Sequence, residues 1–96
     1  MGRRSFFVYI MASRSGVLYT DVTNSLVRRT AEHKARSADG FTAEHRCTRL
    51  VYYEIWGWPT GAIGREKQIK RWRRAKRIAL IEQLNPRWTD LSEQWG

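Results

Sequence analysis

Cysteine, acidic residues and long apolar runs are what this chain has least of. One cysteine, Cys47, stands among 96 residues, so no internal disulfide can form. With two separated histidines, His33 and His45, it makes a poor zinc set, and a structural zinc is excluded as well. No apolar run approaches the roughly 20 residues that a membrane helix needs. The apolar stretch after the basic tip Gly2-Arg3-Arg4 is too short for a secretory signal. These absences set the expectation of a soluble cytoplasmic protein with no membrane partner. Acids number 9 against 18 Lys plus Arg, a formal net charge of +9. Such an excess points to a polyanionic partner, nucleic acid ahead of an anionic membrane surface.

What is present is enough to fold. At 42% hydrophobic and 12% aromatic residues, with five tryptophans, the sequence is too apolar for a disordered basic tail. One domain, 1–96, is expected at this length. A domain this small buries only roughly 60 to 65% of its unfolded surface, which favours a shallow surface cleft over a deep pocket.

Residues 6–11, rich in aromatic and β-branched side chains, read as a strand. Ser13-Arg14-Ser15-Gly16 reads as a hairpin connection and residues 17–22 as the returning strand. Alternation puts Tyr9 with Phe7 and Met11, and Tyr19 with Val17 and Asp21. Thr23 and Asn24 supply capping side chains for a helix over 25–35, whose stripe Leu26, Val27, Thr30 and Ala31 can face a sheet. Arg29 and His33, four apart, are neighbours on a different part of that helix. Residues 36–40 end the helix, and 41–48 read as polar and irregular. Residues 49–56 are the strongest strand signal in the chain. Gly57-Trp58-Pro59 breaks that strand, and Thr60 is a candidate cap for a helix over 61–72. A third helix over 75–84, with Ile78, Ile81 and Leu84 as its buried stripe, stops before Asn85-Pro86. Trp88, Leu91 and Trp95 can then pack back on the domain. The order β-β-α-β-α-α predicts an α/β fold, a small, mainly antiparallel three-stranded sheet flanked by helices.

Most of the excess charge sits in Arg65, Lys67, Lys70, Arg71, Arg73, Arg74, Lys76 and Arg77, with Glu66 as the only acid among them. Charge runs are ordinarily solvated helix faces, but this density favours phosphate contact. Trp72, in its midst, reads as core packing against arginine stems ahead of base stacking.

The residues in order resemble the GIY-YIG nuclease superfamily, in particular its small single-domain bacterial members, over nearly the whole chain. The first signature matches as Val8-Tyr9-Ile10 and the second as Tyr19-Thr20-Asp21. Val22-Thr23-Asn24, Leu26-Val27-Arg28-Arg29, Glu32-His33-Lys34, Leu50-Val51-Tyr52-Tyr53-Glu54, the block from Arg65 to Lys70, and Asn85-Pro86-Arg87-Trp88 follow at compatible spacing. The resemblance implies phosphodiester cleavage in nucleic acid with a divalent metal, Mg2+ or Mn2+. It makes Tyr19 the general base on the attacking water and Arg29 the phosphate and transition-state ligand. His33 becomes a donor to the phosphate or an aid to Tyr19, Tyr9 an orienting hydroxyl, and Glu66 the metal ligand. A single carboxylate suits magnesium, which keeps several waters and takes phosphate oxygens. Asn85 matches an asparagine near some family sites, though ordinary capping before a proline explains it too. Lys34, Lys67, Lys70, Arg71, Arg73 and Arg74 are the expected nucleic-acid contacts.

One position departs from the pattern. The second signature normally ends in glycine, where this chain has Asp21. On a regular strand Asp21 shares the face of Tyr19, where its charge could repel a phosphate and raise the phenol pKa. It could instead face outward at a strand end, or serve as a second metal ligand. Without the family, Tyr9 and Tyr19 would be ordinary sheet aromatics, Arg29 and His33 a solvated helix face, and Glu66 a partner of adjacent Arg65 and Lys67.

The leading expectation is a metal-dependent endonuclease on DNA, ahead of RNA, selecting branched or distorted structures of the kind met in DNA repair. The alternative is a nucleic-acid-binding protein that keeps the fold and has lost the chemistry, with Asp21 as its mark. A protein-interaction or RNA-binding module on the same scaffold is a third.

Overall fold

In the computed structural model, which describes residues 4–37 and 46–95, the first strand, β1, runs over Phe6–Ala12. Its alternating large side chains suit a strand covered on both faces, and residues 8 to 12 are all fully buried. The chain turns at Ser13, whose amide donates to the Val17 carbonyl at 3.0 Å and whose hydroxyl accepts from the Val17 amide at 2.9 Å. Gly16 takes φ of +91° in this turn, a conformation strained for any residue with a Cβ. The strand β2, Leu18–Thr23, then returns antiparallel to β1. The third strand, β3, Arg49–Trp56, pairs antiparallel on the other side, giving the order β2-β1-β3 with an irregularity between Ile10 and Met11. Tyr9 lies opposite both Asp21 and Tyr53.

Three helices cover the sheet, α1 at Leu26–Ser37, α2 at Pro59–Arg71 and α3 at Arg74–Leu84. On one face Val8, Ile10, Ala12, Val51 and Tyr52 pack with Ala62 and Ile69 of α2 and Ile81 of α3, flanked by Trp56, Trp72 and Trp88. On the other, Tyr9, Met11 and Leu50 pack with Leu26 of α1 and with Cys47. A short 3-10 turn, Leu91–Gln94, closes this second face, with Leu91 packed against it. The expected α/β order and three-stranded antiparallel sheet are those observed. No helix among the described residues is long and apolar enough to cross a membrane.

Details differ from the sequence expectation for local reasons. Trp58, not Thr60, is the N-cap of α2, with no side-chain capping bond. Pro59 opens the helix instead, since it lacks an N–H and its φ is already helical. Gly61 fits there because a Cβ would collide with the Trp58 and Trp56 rings. On α3 the buried series passes through Ile81 to Asn85, leaving Leu84 74% exposed. On α1 Leu26 and Thr30 are buried while Val27 and Ala31 are exposed. The first helix runs on to Ser37, two residues past its expected end, and residues 46–48 of the expected irregular stretch 41–48 have no regular structure; 38–45 lie outside the described residues.

Candidate active site

Arg29 and His33 lie on the sheet-facing side of α1, both half-buried, rather than on a separate solvated surface. They sit one turn apart on the stripe that starts at Leu26. Polar side chains occupy these inward positions because the sheet beneath offers hydroxyls and a carboxylate instead of apolar surface. Thr23 and Ser25 fix the start of the helix: the Thr23 hydroxyl accepts from the Ser25 amide at 3.0 Å, and the Ser25 carbonyl accepts from the Arg29 amide at 3.0 Å.

Three aromatic rings meet below α1. Tyr9 is fully buried, its hydroxyl 3.1 Å from His33 Nε2 in a hydrogen bond. The His33 ring meets Tyr19 edge-on with 4.8 Å between centroids, and Tyr9 and Tyr19 are 6.4 Å apart. Tyr19 is 37% exposed, so of the two phenols it is the one that solvent or a substrate can reach. A separate groove of about 400 Å³ between Phe7, Leu26, Val27, Tyr53, Ile55 and Trp95 includes none of these groups.

Asp21 faces Tyr19. Its Oδ2 accepts the Tyr19 hydroxyl at 2.8 Å and Arg29 Nη2 at 3.1 Å, while Oδ1 accepts the Val22 amide at 2.8 Å. Of the placements open to Asp21, the structure has the one that strand alternation favours. Arg29 also makes a loose 3.6 Å pair with Glu32. The electrostatics follow. Burial pushes the Tyr9 phenol up to about 12, against the opposing pull of the Arg29 guanidinium. Burial and then the Asp21 carboxylate raise the Tyr19 phenol above its ordinary value, with Arg29 only partly offsetting them.

Glu66 stands apart from this network. It is buried on α2, over the other face of the sheet, and its Oε2 accepts from Lys70 Nζ at 2.7 Å, not from its sequence neighbours. Lys70 links the two parts: Glu66 raises its pKa first, and Asp21 and Tyr9 add to that. No group of three or more His, Cys, Asp or Glu side chains that could cage a metal occurs among the described residues. The donor chemistry at Glu66 still fits a hard divalent ion, which needs one or two carboxylates and fills its sphere with water and substrate oxygens.

The remaining candidates divide. Lys34 is committed to Asp90 at 2.7 Å. Burial opposes ionisation of Asp90, but Lys34, Ser92 and the Leu50 amide hold its carboxyl below the usual range. Asn85 is 5% exposed; its amide donates to the Val51 and Thr89 carbonyls at 3.0 and 2.9 Å, and its oxygen accepts from Thr89. That set ties the end of α3 to β3. Lys67, Lys70, Arg71, Arg73 and Arg74 are exposed along α2 and the start of α3. Trp72 packs against the core with Lys76 4.3 Å above its ring.

A second polar cluster was not foreseen. Glu54 accepts from the Tyr52 hydroxyl, from Trp56 Nε1 at 2.7 Å and from Arg65 Nε at 2.9 Å. The signal was available, because Tyr52, Glu54 and Trp56 share one face at two-residue spacing.

A three-stranded antiparallel sheet carrying paired tyrosines, with an arginine and a histidine set against them from the first helix, makes up a small α/β domain. The GIY-YIG catalytic domain profile matches residues 5–79, and the chain belongs to the GIY-YIG family. Two UPF0213 proteins of Staphylococcus aureus, from strains Mu3 and Mu50, are each 33% identical to it over 79 residues, 82% of this chain and 96% of theirs. The solution NMR structure of the UPF0213 protein BH0048 from Bacillus halodurans matches with a TM-score of 0.59 at 22% identity. It covers 93% of this chain and 95% of that one, which establishes the shared fold.

Proposed function

We propose that the chain, as one cytoplasmic domain over 1–96, is a metal-dependent endonuclease that hydrolyses phosphodiester bonds in DNA, preferring branched or distorted substrates. The observation that carries this reading is the meeting of Tyr9, Tyr19, Arg29 and His33 between α1 and the β1–β2 pair, with Tyr19 open to solvent. Arg29 would hold the scissile phosphate through its planar fork and offset charge that grows in the transition state. Tyr19, the exposed phenol, would relay the proton of the attacking water. Buried Tyr9 holds His33 in place, and His33 would donate to a phosphate oxygen. Glu66 would hold Mg2+ or Mn2+, whose chemistry when bound is to polarise the phosphate and stabilise the leaving oxygen. The basic surface from Lys67 to Arg74 would follow the backbone, which positions a protein but carries little sequence information. Structure preference therefore fits this chain better than site specificity.

The test is incubation of labelled duplex, flap and junction DNA with magnesium or manganese, alongside Glu66→Ala and Tyr19→Phe. Cleavage by wild type is expected, falling by about a hundredfold or more in both variants, with DNA binding retained. If about five phosphates are neutralised, log affinity for duplex should fall against log salt with a slope of about −4 to −5. A flat dependence sinks the electrostatic part.

One observation favours a second reading, a binding protein that has lost the chemistry. Asp21 occupies Tyr19 and Arg29 together, where a phosphate oxygen would otherwise be held. A wild type that binds without cutting, and cuts as Asp21→Gly, would establish it.

A further inference from the structure

The nuclease reading leaves a difficulty at Tyr19. A phenol titrating above 10 is ionised in roughly one molecule in a thousand or fewer at pH 7, and burial and Asp21 both move Tyr19 in that direction. As a free-standing base it would be almost always in the wrong form. The geometry supplies a way around this, because the Tyr19 hydroxyl already donates its proton, at 2.8 Å, to a carboxylate oxygen.

We propose that Asp21 is the proton acceptor behind Tyr19, so that the signature tyrosine works as a relay and the aspartate in place of glycine completes the site. The inference rests on the nuclease reading. As the water oxygen bonds to phosphorus, its O–H bond breaks and the proton passes to the Tyr19 oxygen, while the hydroxyl proton of Tyr19 passes to Asp21 Oδ2. The bond from phosphorus to the leaving oxygen breaks with its electron pair, and that oxygen takes a proton from solvent water. Asp21 returns its proton to solvent. One water is consumed, and no phenolate has to form beforehand.

Asp21 is built for this position. The Val22 amide holds Oδ1 at 2.8 Å, which fixes the carboxylate and leaves Oδ2 aimed at Tyr19. Its side chain keeps 24% exposure, enough to release a proton to solvent. Arg29 shares Oδ2 at 3.1 Å through Nη2 and makes a loose 3.6 Å pair with Glu32 through Nη1, with the Tyr9 hydroxyl also against its guanidinium. A phosphate would take the guanidinium in exchange for these contacts.

Asp21→Asn separates the possibilities, since it keeps an acceptor oxygen of the same shape and cannot take a proton. With metal and flap DNA, kcat is expected to fall about a hundredfold or more, with KM unchanged or lower because Arg29 loses a competing carboxylate. The variant's rate should climb with alkaline pH, as Tyr19 must then lose its proton unaided, where wild type stays level. Among the described residues, the other charged or titratable groups around Asp21 are Tyr9 across the ladder, Arg29 with its partner Glu32, His33 against the Tyr19 ring, and Lys70 from α2. All are the same in both proteins, so the difference between the profiles belongs to Asp21. The double variant with Tyr19→Phe should lose no more than Tyr19→Phe alone, the signature of one shared proton path. Equal or higher kcat in Asp21→Asn, an unaltered pH profile, or additive losses would overturn the proposal and leave the nuclease reading standing. A wild type that cuts no substrate overturns both.

Discussion

On each face of the sheet a tyrosine donates its hydroxyl proton to a carboxylate two residues further along the strand, and an arginine from a helix joins them. On the α1 face these are Tyr19, Asp21 and Arg29; on the α2 face they are Tyr52, Glu54 and Arg65. The spacing follows from strand geometry, which returns a side chain to the same face every second residue. The surroundings differ. Tyr52 is 5% exposed, and Glu54 has a third donor in Trp56. Burial and then Glu54 push the Tyr52 phenol up to about 12, with Arg65 opposing. Burial alone would raise the Glu54 carboxyl, but its three donors more than offset that and hold it below the usual range. Tyr19, by contrast, reaches solvent. The same trio thus serves as an internal tie on one face and as a candidate reactive surface on the other, and access makes the difference.

Paired hydroxyl deletions test that contrast most severely. Tyr19→Phe is expected to reduce DNA cleavage by about a hundredfold or more with little change in Tm. Tyr52→Phe should leave cleavage per folded molecule unaltered and lower stability by about 1 kcal/mol, read by denaturant titration. Equal loss of cleavage in both would break the comparison.

Glu54→Gln sharpens it through pH. The amide cannot match a carboxylate serving Tyr52, Trp56 and Arg65, so a loss of about 1 to 3 kcal/mol is expected at pH 7. Because the folded pKa of Glu54 lies below its unfolded value, its contribution is complete above about pH 4.3 and fades as pH falls through the folded value. Urea midpoints of wild type and variant should converge in acid. A gap constant down to pH 3 would remove the charge from the explanation.

The strands and their order were legible because β1 and β3 are dense in aromatic and β-branched residues and the turn at Ser13 to Gly16 has no competing pattern. The placement of Asp21 beside Tyr19 followed from alternation alone. Meetings across the fold were not legible in this way. Tyr9 and His33 are 24 residues apart, and only the family resemblance placed them in one site. The α1 stripe holds at Leu26 and Thr30 but not at Val27 and Ala31, which are exposed, because the neighbouring inward positions go to Arg29 and His33, whose partners lie on the sheet. Leu84 failed for a related reason: the buried place at the end of α3 is taken by Asn85, whose amide satisfies backbone carbonyls that a leucine would leave unpaired.

The residues between the paired groups carry the comparison to its finest level, since each points to the opposite face. Tyr53, between Tyr52 and Glu54, meets Phe7 edge-on at 6.4 Å on the α1 side. Thr20, between Tyr19 and Asp21, lies opposite Ile10 and is 5% exposed on the α2 side. Its buried hydroxyl oxygen has no partner among the described residues. An unpaired buried hydroxyl is a cost to folding, and valine has the same shape and suits a strand. Thr20→Val is therefore expected to raise stability by up to about 1 kcal/mol, while the faces of Tyr19 and Asp21 stay as they are. A variant with higher Tm and undiminished cleavage would show that this strand presents its polar chemistry on one side only. A fall in kcat at unchanged stability would mean that the Thr20 hydroxyl contributes to the site, and that the division between the faces is less complete than the packing indicates.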